Sequence, residues 1–194
     1  MNEALTCVRR FMAEEQISFA GRFFTFDEAA IRPAPDPPIP VLVGGRSGAA
    51  LERTARFGDG WLGLWVSPQR FSVATNLIET TATEIGRTQT AWVHTLQLWA
   101  GFDATREAAI DRIGRVMERS YGLPFERFER YTPCGRPEDI ATALEPYLAA
   151  GCRRFNFVPE APDLEHAVAA IAEVRRLLIR RSAPKIWPAP GRLN

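Results

Sequence analysis

The sequence predicts an α/β fold in which helices cover a parallel sheet. Short strand-like runs alternate with amphipathic helical segments, and the runs are apolar throughout, as in strands buried on both faces. Glycine or proline marks most of the boundaries between the two kinds of segment. Four such strands amount to half of an eight-stranded (β/α) barrel, which normally takes about 250 residues. A small open, doubly wound sheet would give the same pattern.

The first forty residues precede this alternation. Residues 2–16 are predicted as a helix with Leu5, Val8 and Met12 on one face. Two short alternating runs about Gly21 then predict a hairpin-like excursion over residues 17–26. The stretch PAPDPPIP at 33–40 cannot be helical because proline lacks the backbone donor, so it serves as an extended connector.

The alternation itself occupies the rest of the chain. Strands are predicted at 41–43, 61–65, 92–100 and 154–158. Helices are predicted over 47–57, from 67 to about 86, from 103, from 137 to 151, and over 163–181. The last helix is expected to turn five apolar residues inward: Leu164, Val168, Ile171, Val174 and Leu178. We therefore divide the chain into a half-barrel domain at 1–181 and a proline-rich tail at 182–194.

Composition excludes several classes of protein. Of the 194 residues, 46% are hydrophobic and 24% are charged, which is typical of a globular chain rather than a disordered one. The net charge of +1 favours neither nucleic acid nor an anionic membrane as a partner. The N-terminal MNEALTCVRR has no hydrophobic signal core, so a cytoplasmic location is expected. The three cysteines form no closely spaced pair and are expected to be reduced.

One motif stands out as a candidate binding site. A buried strand runs directly into Gly44 and Gly45, then into Arg46 and Ser47 at the start of a helix. The unpaired N–H groups at a helix N-terminus bind anions, and glycine allows a phosphate to approach the backbone closely. Arg46 could add a charged fork to such a phosphate. The alternative is structural: a tight turn followed by a serine that caps the helix.

The other polar candidates favour structural roles. Asp59 lies in a glycine-bearing turn and is expected to bond local backbone, and residues 134–139 read as a helix start. His94 is expected to be a satisfied core histidine within the third strand, and His166 to be solvated. The two histidines are too far apart in sequence to suggest a metal site, and no catalytic residue is assigned.

Taken together, several blocks resemble the luciferase-like family of flavin- or deazaflavin-dependent oxidoreductases. They are ISFAGRFFTF at 17–26, the run from Ile31 through Gly45, Gly-Asp-Gly-Trp at 58–61 and Gly-Arg-Pro-Glu-Asp-Ile at 135–140. The resemblance implies a (β/α)8 barrel of which this chain matches the C-terminal half, strands five to eight. It also implies that the Gly44–Ser47 loop contacts the phosphate of FMN or coenzyme F420.

The resemblance carries expectations about function. The family transfers hydride to or from F420, or activates oxygen with reduced FMN. The amino-acid sequence of the blocks is closer to the F420-using branch. A small-molecule substrate is implied. Because a half barrel has exposed edges, the chain is expected to homodimerise or to bind a protein that supplies the first half. The alternative is a non-catalytic binding or scaffolding subunit that has lost the redox pocket.

Overall fold

The computed structural model describes residues 1–14 and 16–182, which form two compact units. The first unit contains residues 1–98 and 147–156, and the second contains residues 99–146 and those from 157 onward. The proline-rich tail predicted at 182–194 lies, from residue 183 on, outside the described residues. No helix in the described part of the chain is long and apolar enough to cross a membrane.

The predicted parallel sheet is confirmed, with one additional short strand. Its strands are β3 (Leu42–Gly44), β4 (Gly60–Leu64), β5 (Thr95–Phe102), β6 (Cys134–Gly135) and β7 (Arg154–Glu160). The order is β3-β4-β5-β6, and β7 also pairs with β5. The register places Leu42 beside Gly60 and Leu62 beside Thr95, so the carboxyl ends of β3 and β4 lie at one edge. Sequence patterns missed β6 because two residues are too short to show any period.

A hairpin precedes the sheet, as predicted. Strands β1 (Ile17–Ala20) and β2 (Thr25–Ala29) pair in antiparallel fashion. The carboxylate of Glu3 accepts hydrogen bonds from the backbone N–H groups of Arg22 and Phe23, each at 2.8 Å. These contacts fix the hairpin tip against the first helix.

The helices alternate with the strands and begin within a residue of the predicted starts, except α4, which begins at Arg106 rather than at residue 103 because Thr105 supplies its cap. They are α1 (Asn2–Ala13), α2 (Gly48–Phe57), α3 (Pro68–Glu84), α4 (Arg106–Tyr121), α5 (Pro137–Ala149) and α6 (Leu164–Ser182). Ser47, Ser67 and Thr105 cap α2, α3 and α4 by accepting a hydrogen bond from the backbone N–H three residues further on. In the first unit, α2 and α3 pack against a core that includes fully buried Trp61 and Phe71.

The inward face of the last helix differs from the prediction. Val174 and Leu178 are buried as expected, but Leu164 is 78% exposed and Val168 is 60% exposed. The small residue Ala167 takes the buried position in the first turns instead. The apolar residues of α6 cover a wider arc than its core face, so periodicity alone could not tell which of them the packing would bury.

Candidate functional site

The Gly44–Ser47 segment forms an exposed loop between the end of β3 and the start of α2. Gly45 has a φ of +112°, a conformation that L side chains rarely adopt, and a Cβ there would lie 2.9 Å from the Cβ of Ala50. Ser47 Oγ accepts the N–H of Ala50 at 3.3 Å, which leaves the hydroxyl hydrogen available as a donor. The turn and capping roles that the sequence suggested are therefore present, on a backbone that faces solvent.

Trp61 fixes this loop from below. Its ring is fully buried, 5.8 Å from the ring of Phe71, as expected of a core tryptophan. Its indole Nε1–H donates a 2.7 Å hydrogen bond to the carbonyl of Gly45. Because a rigid core side chain holds the glycine, the loop keeps its shape without support from a ligand.

Two arginines surround the loop. The Arg46 guanidinium donates to the carbonyl of Trp65 at 3.4 Å, and that of Arg70 donates to the carbonyl of Arg46 at 3.3 Å. Trp65, at the end of β4, has a φ of +51°. Neither α2 nor α3 has an acidic residue in its first turn. The edge where β3 and β4 end is therefore positively charged.

This arrangement fits an anionic group. The first N–H groups of α2 have no intrahelical partner, and the helix dipole favours negative charge at that end. A Cβ on Gly44 or Gly48 would meet nothing within 4 Å, so the backbone on either side of the turn is accessible to a ligand. The segments 44–48 and 65–70 contain no Asp, Glu, His, Lys or Cys. In chemical terms this edge can bind an anion but offers no general acid or base.

Asp59 organises the opposite end of the sheet, where strands β3, β4 and β5 begin. Arg9 Nη1 donates to both carboxylate oxygens of Asp59 at 2.9 Å, and the N–H of Val41 donates to Oδ2 at 2.8 Å. The backbone of Asp59 bonds to Val41 O and to the N–H of Val93. The expectation that Asp59 bonds local backbone is wrong for its side chain, because the partners of the carboxylate lie 18 to 50 residues away.

Arg87 joins the same cluster. Its guanidinium donates to the carbonyl of Gly58 at 2.8 Å and lies 3.9 Å from Asp59 Oδ1. Burial lowers the pKa of Arg87 from its usual value, although the group remains charged at neutral pH. Arg9 and Arg87 also donate hydrogen bonds to backbone carbonyls at the end of α2, Arg9 to Phe57 O and Arg87 to Ala55 O. This cluster joins α1, α2 and the starts of three strands.

His94 packs against the core but precedes β5 rather than lying within it. The expectation of a satisfied core histidine holds for Nδ1 but is wrong for Nε2, which is buried without a hydrogen-bond partner among the described residues. Its Nδ1 accepts the backbone N–H of Trp61 at 3.0 Å, and its ring stacks on Trp92 with centroids 5.1 Å apart. Nε2 lies 3.4 Å from Glu79 Oε1 but outside hydrogen-bonding geometry. Burial lowers the pKa of His94 to about 4. The ring is therefore neutral at physiological pH and holds β4 through an acceptor nitrogen.

This shift predicts a pH-dependent stability. Between pH 6.5 and 4 the unfolded chain protonates His94 and the folded chain does not, so the free energy of unfolding falls as the pH is lowered through that range. We expect a loss of about 3 kcal/mol from this residue in urea denaturation. His94→Asn keeps an acceptor for the Trp61 N–H without titrating, and its stability should be flatter with pH. Equal slopes in the two proteins would contradict the assignment.

The remaining candidates take structural positions in the second unit. His166 is exposed and pairs with Asp163 at 2.7 Å, as the sequence suggested for a solvated side chain. Asp139 accepts the backbone N–H of Arg136 at 2.9 Å at the start of α5. Cys134 is buried in β6, and burial raises its pKa to about 11. No cluster of His, Cys, Asp or Glu in the described ranges could hold a metal ion.

Comparison with known proteins agrees with this fold. Residues 1–151 match the model of the luciferase-like monooxygenase family. The chain belongs to that family. The luciferase-like match includes the Gly44–Ser47 loop, both arginines beside it, and the Asp59 cluster. The resemblance identified from the sequence blocks is thereby confirmed.

Individual luciferase-like relatives are distant. An uncharacterized protein of Mycobacterium tuberculosis is 32% identical over 98 residues, which is 50% of this chain and 34% of that protein. Other curated relatives include F420-dependent dehydrogenases from Mycobacterium tuberculosis and Kineococcus radiotolerans. The chain thus spans about a third of the length of that first relative.

Solved structures show the same luciferase-like fold. An F420-dependent secondary alcohol dehydrogenase in complex with an F420–acetone adduct superimposes with a TM-score of 0.77 at 18% identity, over 91% of this chain and 60% of that one. A riboflavin lyase with modified FMN and riboflavin gives a TM-score of 0.61 at 16% identity, over 86% and 48%. At these identities the likeness concerns the fold alone.

Proposed function

We propose that this chain forms the cofactor-binding part of an F420- or flavin-dependent oxidoreductase, and that Gly44, Gly45, Arg46 and Ser47 hold the anionic tail of the cofactor. The observation that carries the proposal is the exposed, positively charged loop at the carboxyl end of β3, where barrel enzymes place their active sites. The backbone N–H groups of the first turn of α2 and the Ser47 hydroxyl would donate to phosphate oxygens. Arg46 would add a charge-assisted bond.

The residues present indicate which part of the function belongs to the cofactor and which to the chain. A deazaflavin or flavin supplies the hydride-transfer chemistry when bound. The chain's own residues bind and orient the cofactor tail: Trp61 fixes the carbonyl of Gly45, and Gly45 takes a φ of +112° that a side chain would strain. We favour F420 over FMN for two reasons. The residues of the sequence blocks are closer to the F420-using branch, and two of the curated relatives are named as F420-dependent. Substrate contacts are left to residues outside this loop.

We further propose that the sheet is completed by another copy of the chain or by a different protein. β3 pairs with β4 along one edge, and its other edge has no strand partner among residues 1–14 and 16–182. Leu42 on this strand is 38% exposed. An edge strand with unpaired N–H and C=O groups is a template for pairing with another chain. We expect a dimer or a heteromer in solution.

One experiment tests both proposals. The purified chain is titrated with F420 and with FMN by fluorescence, and light scattering gives its mass in the same sample. Ser47→Ala should weaken binding about fivefold or more, since it removes a donor to the phosphate. Thr105→Ala removes an equivalent cap from α4 and is the matched control, with a similar loss of about 1 kcal/mol in stability but unchanged binding.

The outcomes separate the two ideas. Equal affinities in Ser47→Ala and the unsubstituted chain would contradict the role of the loop. A stable monomer that binds cofactor would contradict completion by a second protein. An oligomer that binds neither F420 nor FMN would favour the alternative, a non-catalytic subunit.

A further inference from the structure

Arg70 has a contact that the family resemblance does not explain. It lies on the first turn of α3, beyond the glycine loop in sequence, yet its Nη2 reaches the carbonyl of Arg46 at 3.3 Å. That carbonyl is part of the peptide that leads into Ser47. A second guanidinium is therefore placed directly against the proposed phosphate loop from a different helix.

The charges of Arg46 and Arg70 are uncompensated. Both side chains are exposed, and their hydrogen bonds go to backbone carbonyls at 3.3 and 3.4 Å, with no carboxylate partner in the described part of the chain. By contrast, Arg10 pairs with Glu14 and Arg56 pairs with Glu52 in the same unit. Two like charges at one loop repel each other unless an anion lies between or beside them.

We propose that Arg70 is a second anion-binding residue of this site, and that the site takes a ligand tail with at least two negative charges. The inference rests on the proposed function and adds a residue to it. One negative charge would be carried by the phosphate at the Gly44–Ser47 loop. The second charge belongs either to the same phosphate, as in the dianionic monoester of FMN, or to a carboxylate further along the tail, as in F420. Arg70 and Arg46 exchange their long carbonyl bonds for charge-assisted bonds to these groups.

The test compares ligands with and without the tail. Arg70→Gln should weaken binding of F420, FMN or both about tenfold. It should leave unchanged the binding of riboflavin and of the deazaflavin ring system without its phosphate-bearing tail, because neither carries the negative charges. Arg70→Lys keeps the charge and should retain most of the affinity. Arg56→Gln, at the far end of α2, is the matched control and should change nothing. Thermal melts of each variant report whether the fold is intact.

The salt dependence gives an independent readout. The affinity of the unsubstituted chain for the tail-bearing ligands should fall with ionic strength more steeply than that of Arg70→Gln, because screening acts on the charge that the variant lacks. A loss confined to F420 assigns the second charge to the tail carboxylates, and a loss with FMN assigns it to the phosphate; both support the proposal. Unchanged affinity of Arg70→Gln for both ligands overturns it while leaving the proposed function standing. Failure of the unsubstituted chain to bind any of them overturns both.

Discussion

Replacing Gly45 with alanine should lower cofactor affinity at least tenfold and the free energy of unfolding by about 1–2 kcal/mol. The φ of +112° is strained for any L side chain, and the new methyl would lie 2.9 Å from the Cβ of Ala50. Relief of that contact moves the carbonyl that Trp61 holds and turns the peptide at the proposed phosphate site. Fluorescence titration and urea denaturation measure the two effects.

The matched control is Gly122→Ala. Gly122 ends α4 with a φ of +64°, and a Cβ there meets nothing within 4 Å. This substitution strains the backbone away from the loop, so it should lower the free energy of unfolding by about 1 kcal/mol but leave cofactor affinity unchanged. Equal losses of affinity in the two variants would show that the loop's conformation does not matter for binding.

Replacing Asp59 with alanine should cost about 3 kcal/mol in the free energy of unfolding. The variant leaves Arg9 and Arg87 facing each other without a carboxylate and removes the acceptor for the N–H of Val41. We place the effect below that of a fully buried ion pair because the side chains of Arg9 and Asp59 are 39% and 23% exposed. Urea denaturation gives the value.

Two further variants define the origin of this effect. Asp59→Asn keeps an acceptor for the Val41 N–H and should lose less than Asp59→Ala. Glu52→Ala removes the partner of Arg56 in an exposed pair on α2 and should cost less than about 0.5 kcal/mol. A loss below 1 kcal/mol in Asp59→Ala would mean that the cluster joins the elements without stabilising them.

The loop could be predicted from the sequence because its signals are local. A strand followed by Gly44-Gly45, and Ser47 before a helix, each specify backbone geometry within a few residues, and the structure has that geometry. Arg70 could not be predicted as part of the site, because its 24-residue separation from Arg46 closes only when α3 packs beside α2. The one sequence signal that points to it is the absence of acidic residues from the first turns of α2 and α3.

The Asp59 cluster shows the opposite case. Gly58-Asp59-Gly60 has the composition of a turn, and the structure has a turn there. The turn alone accounts for an aspartate at this position, so the sequence gives no reason to expect distant partners for its side chain. No sequence motif distinguishes Arg9 or Arg87 from the many other arginines of the chain. Their convergence on one carboxylate depends on how α1 packs against the first unit's sheet.

By itself the sequence determined the alternation of strands and helices, most of the helix starts, and the family, because each of these depends on neighbouring residues or on an ordered set of short blocks. Only the tertiary structure decided which apolar residues of α6 are buried, which partners Asp59 takes, and that Arg70 of α3 contacts Arg46 in the Gly44–Ser47 loop. The physical reason is that backbone conformation responds to local sterics and hydrogen bonding, whereas burial and charge pairing depend on side chains far apart in the chain.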